Sequence, residues 1–202
     1  MISSLLDFIF PRVCIGCGAK EMSLCKRCLS LSRKALKSPD PYTITLFDFK
    51  DPTIKRAIHA LKYYHRKDVV IPLTQALAQK LRSIPQIETY TLIPIPMPHI
   101  RKLLRGYNQS ELIAHELSVA LSIPVRTDIL VRSKNPTRQV TMHSKKEREQ
   151  NQKGSFSVIT PITDGRFLLV DDVSTTGATL HEARQTLLSS KASLVLGATL
   201  AH

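Results

Sequence analysis

The chain has 202 residues, 43% of them hydrophobic and 22% charged, with no Trp. That length fits one ordinary domain plus a small appendage, since domains run to roughly 100–200 residues, and the apolar share excludes a disordered tail or a low-complexity chain. No run approaches the ~18 consecutive apolar residues that a bilayer span requires, so the chain does not read as an integral membrane protein.

The N-terminal stretch Ile2 to Phe10 is apolar but interrupted by Asp7 and lacks a basic leader. It therefore does not read as a signal peptide, and a cytoplasmic location is the expectation. Lys plus Arg number 29 against 16 Asp plus Glu, a net charge of +13, and such a field favours phosphorylated or polyanionic partners. The excess sits in residues 2–38, 50–68 and 132–153, which carry seven, six and seven basic side chains against two acidic ones each. Each run is also compatible with plain solvated surface.

All four cysteines fall in the pattern C-x2-C-x7-C-x2-C, as Cys14, Cys17, Cys25 and Cys28. A tetrahedral zinc site needs four ligands converging from two tight turns, and each C-x2-C pair supplies two thiolates from one turn. Gly16 and Gly18 ease the backbone around the first pair. An iron-sulfur site or a redox-active pair is the alternative, because four thiolates also hold iron. With all four positions filled by protein, such a centre is structural. Lys26, Arg27, Arg33 and Lys34 give this knuckle a candidate nucleic-acid or protein contact. It otherwise serves as a staple for some thirty residues without a core of their own.

After Leu36 the sequence Lys-Ser-Pro-Asp-Pro reads as a linker, dividing the chain into a module of residues 1–38 and a domain of residues 39–202. Beyond it, apolar residues recur at helical spacing at Ile54, Ile58 and Leu61, at Leu73, Leu77, Leu81 and Ile84, at Leu112, Ile113, Leu117 and Leu121, and at Leu180, Ala183, Leu187 and Leu188. Short apolar runs between them read as strands: Thr43 to Phe47, Tyr90 to Ile95, Val125 to Val131, Phe167 to Val170, and Ser193 to Leu200. This alternation predicts an α/β domain with a mostly parallel sheet covered by helices.

The most informative stretch is Phe167-Leu-Leu-Val-Asp-Asp-Val-Ser-Thr-Thr-Gly-Ala-Thr179. A buried strand runs into two adjacent carboxylates, then a loop of small hydroxyl residues, then a helix. Ligands of open α/β sheets sit beyond the carboxyl ends of the strands, and a helix start offers unpaired amides to an anion. The loop amides and the hydroxyls of Ser174, Thr175, Thr176 and Thr179 suit a phosphate dianion, with Gly177 allowing close approach, while Asp171 and Asp172 suit a vicinal diol. The plainer alternative is that Asp-Asp ends a strand and Ser/Thr caps a helix. Neither G-x-x-x-x-G-K-[ST] nor G-x-G-x-x-G occurs.

Those thirteen residues resemble the phosphoribosyl pyrophosphate motif of type I phosphoribosyltransferases. Nearly the whole chain is similar to one branch, the ComF family associated with natural competence and DNA uptake. The resemblance is carried by the four-cysteine knuckle, Leu61-Lys-Tyr-Tyr, Pro94-Ile-Pro, Arg105-Gly-Tyr-Asn-Gln109, Arg148-x-x-Asn151 with Phe156, and the Asp-Asp motif. It implies the type I phosphoribosyltransferase fold with a small N-terminal zinc-binding module. It further implies that Asp171 and Asp172 bind ribose hydroxyls and that residues Val173, Ser174, Thr175, Thr176, Gly177, Ala178 and Thr179 hold the 5′-phosphate. The loop after Ile95 toward Arg105 would contact pyrophosphate, and Arg138 and Arg148 would be catalytic contacts on a flexible loop spanning 132–153. Mg²⁺ would enter with the ligand. Single-stranded DNA, a competence ATPase and other DNA-uptake proteins are the macromolecular partners implied. The family often has a Gly where this chain has Tyr64-His65-Arg66, so a different backbone is expected there.

Three functions fit: a competence factor that binds the phosphosugar and assists single-stranded DNA uptake, a working phosphoribosyltransferase, or a zinc-dependent scaffold. The seven histidines lack metal-ligand spacing and read as surface or packing residues. Among the tyrosines that could stack on bases, Tyr107 is favoured by its place beside the pyrophosphate loop over Tyr63 and Tyr64.

Overall fold

The computed structural model describes residues 12–38, 40–133 and 154–202. A four-stranded sheet forms the centre, from β1 (Thr43–Phe47), β2 (Tyr90–Pro94), β5 (Arg166–Val173) and β6 (Leu194–Ala201). Its order is β1-β6-β5-β2 and all its pairings are parallel. The two short strands between them, β3 (Leu130–Arg132) and β4 (Phe156–Val158), pair antiparallel. β5 is central because it is apolar on both faces. Leu168 and Val170 face one core, and Phe167 and Leu169 face the other.

The first face is covered by α2 (Pro52–Tyr63), α3 (Val70–Leu81) and α5 (Gln109–Leu121). The second is covered by α6 (Ala178–Ser189) and the β3-β4 pair. The helix starts are written in the sequence. Asp51 accepts the amides of Thr53 and Ile54 ahead of Pro52 at the first helical position of α2, and Asn108 accepts the Ser110 amide to open α5. α2 then buries Ile54, Ala57, Ile58 and Leu61, each side chain contributing about 1–3 kcal/mol by leaving water. α3 ends at Leu81, so Ile84 lies beyond it and only packs against the core.

Three expectations are corrected. The strand read over Val125 to Val131 does not form as one element: Val125 makes only an isolated bridge to Leu92 before β3 begins at Leu130. In between, Arg126 grips Asp128 with two hydrogen bonds of 2.7 Å and folds the segment on itself. The segment toward Arg105 is not loop throughout, because after Pro98 it forms the helix α4 (His99–Arg105). β5 also runs past Val170 to Val173, so both aspartates are strand residues.

The N-terminal module contains α1 (Lys26–Leu31) and docks on the sheet domain. Cys14 and Leu24 belong to the main core, Arg33 donates its amide to Asp51, and Lys34 bridges to Phe47. Among the described residues no helix is long and apolar enough to cross a membrane.

Candidate functional site

Asp171 and Asp172 stand at the carboxyl end of β5, one strand from each neighbour. They open onto a cavity of about 320 Å³, at the small end of the ~300–1,000 Å³ typical of ligand pockets. Four cations share its wall with them: Lys62 of α2, Arg101 and Arg105 of α4, and Arg132 of β3. The parallel sheet thus gathers side chains that are far apart in the chain, at the place where such sheets bind ligands.

The two carboxylates differ. Asp172 is paired with Lys62, Nζ to Oδ2 at 2.9 Å, and its Oδ1 accepts the Val173 amide. Among the described residues no cation lies so close to Asp171. Its Oδ1 accepts the Ser110 hydroxyl at 2.8 Å and the Asp172 amide at 2.9 Å. Burial, and next the charge of Asp172, push the Asp171 carboxyl up to about 7, against the pull of Ser110, the Asp172 amide and Lys62. On the cationic side, burial and then the repulsion of Arg101 lower the pKa of the Arg132 guanidinium, while Asp171 opposes them. A bound polyanion would relieve that repulsion.

Arg105 is held in place from two sides. Gln109 Oε1 accepts from its Nη1 at 3.0 Å, and its guanidinium lies 5.2 Å from the centre of the Tyr63 ring. Gln109 itself is 1% exposed, and its Nε2 is the buried side-chain donor without a hydrogen-bond partner among the described residues. An orphaned buried donor costs about 1–3 kcal/mol, and Gln109 lines the cavity, where a ligand oxygen would satisfy it.

On either side of the loop after β5, Val173 at the end of that strand and Thr179 in the first turn of α6 line the cavity. Gly177 takes φ of 79° as the residue before α6, a conformation that glycine alone adopts freely. Ser174 is buried, and its amide donates to the Ala201 carbonyl. A helix start leaves amides that can hold an anion, and here that of Ala178, the first of α6, donates to Thr176 Oγ1 at 3.4 Å. Arg138 and Arg148 lie outside the described residues. Tyr107 does not offer a stacking face: it is 8% exposed, and its hydroxyl donates to the Leu61 carbonyl. Sequence reasoning missed Lys62, Arg101, Gln109 and Ser110. Lys62 lies in the Leu61-Lys-Tyr-Tyr motif, Arg101 in the segment after Ile95 and Gln109 in Arg105-Gly-Tyr-Asn-Gln109, yet none was given a role of its own.

The second candidate centre is the knuckle. The four Sγ atoms lie within 4.8 Å of one another, and Cys17 and Cys25 are 3.8 Å apart, too far for a disulfide. A tetrahedron with zinc–sulfur bonds of ~2.3 Å has edges of about 3.8 Å, so the spacing fits one zinc ion. The charge also asks for a cation. Burial would raise the Cys14 thiol, yet the amides of Cys17, Cys25 and Gly16 bring it down to about 6. Hydrogen bonding to Cys25, followed by burial, pushes Cys28 up to about 12. So many sulfurs cannot all ionise side by side without a metal. A Cβ on Gly16 would collide with Cys28 Sγ, so that glycine is needed for space.

A buried parallel strand ending in paired acids, a phosphate-type helix start and a cation-lined crevice define a protein of the type I phosphoribosyltransferase fold. The family model for the phosphoribosyl transferase domain matches residues 107–202. The chain is 41% identical over 99 residues to Competence protein F of Haemophilus influenzae, an alignment covering 48% of this chain and 43% of that relative. The chain thus aligns with less than half of that protein. It is 28% identical over 197 residues to the DNA utilization protein YhgH of Escherichia coli O157:H7, covering 91% and 86% of the two chains. It is 26% identical over 207 residues to Competence protein ComFC of Bacillus subtilis, covering 98% and 80%. The solved glutamine phosphoribosylpyrophosphate amidotransferase of B. subtilis superposes on 66% of this chain and 27% of its own, with a TM-score of 0.43 and 20% identity. Over most of its length the chain is thus similar to proteins named for competence and DNA utilization, and its C-terminal part matches the phosphoribosyl transferase domain.

Proposed function

We propose that this chain binds phosphoribosyl pyrophosphate, or a phosphosugar of the same chemistry, at the end of β5, and that it serves the uptake and handling of single-stranded DNA. One observation carries the first half: Asp171 and Asp172 line a single cavity together with Lys62, Arg101, Arg105 and Arg132. A neutral diol suits the acids, and a polyanion suits the cations. The ribose hydroxyls are assigned to Asp171 and Asp172, and the 5′-phosphate to the segment from Thr175 to Thr179. The pyrophosphate is assigned to Arg101, Arg105 and Arg132, with Gln109 Nε2 donating. Arg138 and Arg148 are assigned to the same group by resemblance to the family. Mg²⁺ would come with the ligand, held by phosphate oxygens and water, and would neutralise charge on pyrophosphate.

The second half is supported by the names of the relatives, which speak of competence and DNA utilization, and by the net charge of +13. The arginines around the pyrophosphate position also favour a second reading, a working phosphoribosyltransferase, since stabilising that leaving group is what such catalysis requires.

Titration calorimetry with phosphoribosyl pyrophosphate and Mg²⁺ tests the ligand. Binding is expected for the full chain and its loss for the Asp171→Ala/Asp172→Ala variant, with zinc content unchanged. Equal affinity in both would remove the diol assignment. Release of pyrophosphate dependent on a nucleobase or ammonia would select the second reading.

A further inference from the structure

α2 carries Lys62 to the cavity on one flank, and its outward face has a different character. Its buried residues are Ile54, Ala57, Ile58, Ala60 and Leu61, while Lys55, Arg56, His59, Tyr63 and, at the C-cap, Tyr64 are exposed. Lys55, His59 and Tyr63 stand four residues apart in one row, which spans about 12 Å at 1.5 Å per residue. Tyr63 is 56% and Tyr64 68% exposed, and the His59 ring lies 4.5 Å from one and 5.8 Å from the other, centre to centre. The core does not use these rings, and among the described residues the Arg105 guanidinium lies over that of Tyr63 while Tyr64 is left open. Residue His65 turns the chain away with φ of 53°, the left-handed conformation, so a non-glycine residue makes the turn there.

We propose that this face is a track for a single strand of nucleic acid, with bases stacked on Tyr63, Tyr64 and His59 and phosphates held by Lys55 and Arg56. Charge complementarity supports it. The depression beside Tyr64 is lined by Ile15, Lys55, Arg56, His59, Ala60 and Arg66; Arg66 is paired with Asp68 at 2.9 Å, which leaves Lys55 and Arg56 as the cations offered, and Pro52–Tyr63 contains no acidic residue. The track joins the two candidate centres. At one end Arg56 and Arg66 reach the carbonyls of Gly16 and Val13 in the cysteine module. At the other, Tyr63 lies under Arg105, which lines the phosphosugar cavity. Exposed aromatic faces alternating with cations match a strand whose bases are unstacked and available, whereas a duplex hides its base faces and an acidic protein has none to offer.

The proposal rests on the DNA half of the proposed function and is independent of the phosphosugar half. The test is fluorescence anisotropy of the full zinc-loaded chain with a labelled oligothymidylate and with an abasic strand of equal length, at several salt concentrations. Tyr64→Ala is expected to weaken oligothymidylate binding about tenfold and to leave abasic binding unchanged, while Tyr64→Phe keeps both. Lys55→Gln is expected to reduce the slope of log affinity against log salt by about 0.7. Zinc content, melting temperature and phosphosugar binding should not change in these variants. Wild-type binding with no loss in Tyr64→Ala removes the track and leaves the DNA reading standing. Absence of any wild-type binding at low salt removes both. Displacement of the strand by polyglutamate as readily as by the abasic strand would turn the face into a site for acidic protein and overturn the proposal.

Discussion

Replacing Asp171 by Asn should make the protein more stable and useless for ligand at the same time. Asn Oδ1 still accepts from Ser110 and from the Asp172 amide, so the local geometry is kept. What disappears is a carboxylate that burial and Asp172 hold up at about 7 against an ordinary 3.8. The folded chain binds that proton more tightly than the unfolded chain. Its contribution to stability is therefore whole below pH ~4 and is lost as pH rises through about 7. At 1.36 kcal/mol per pH unit the loss is about 4 kcal/mol by pH 8 and about 1 kcal/mol at pH 4.5, as ceilings. Urea unfolding of wild type and Asp171→Asn at the two pH values reads the difference directly, since zinc loss in acid affects both alike. The variant is expected to be the more stable protein at pH 8, with the gap shrinking at pH 4.5. A gap independent of pH, or a variant less stable at pH 8, would refute the reasoning.

Lys62→Met removes the cation 2.9 Å from Asp172 and leaves a buried carboxylate unpaired. The expected cost is about 2 kcal/mol in unfolding free energy, below the range for fully buried pairs because Lys62 keeps some contact with water. Cys14→Ser with Cys25→Ser should release the bound zinc, measured by elemental analysis. It should also lower the melting temperature of the whole chain, because Cys14 and Leu24 are part of the main core.

The sheet was legible in the sequence where strands are apolar on both faces, as in Phe167 to Val170, and the large helices where one face is buried, as in α2 and α3. α4 was not, because Ile100, Leu103 and Leu104 are exposed and its sequence marks no inward face. α1 buries no residue at all. β4 is three residues long, too short for alternation to register. In the site, Asp171, Asp172, Arg105 and the four cysteines were legible from motif and spacing. Lys62 was not, because a lysine on a basic helix looks solvated until the sheet places Asp172 beside it. The tyrosines were read in reverse: Tyr107 is buried, and Tyr63 and Tyr64 are the exposed ones. Nothing local in the sequence separates a packed tyrosine from an offered one.

The most direct measurement is the crystal structure of the full chain grown with phosphoribosyl pyrophosphate and Mg²⁺. Density for a ribose whose two hydroxyls touch the carboxylates of Asp171 and Asp172, with its 5′-phosphate on the loop from Thr175 to Thr179, is the expected result. A cavity without ligand and with Lys62 still closed on Asp172, or a ligand bound elsewhere, would contradict the account.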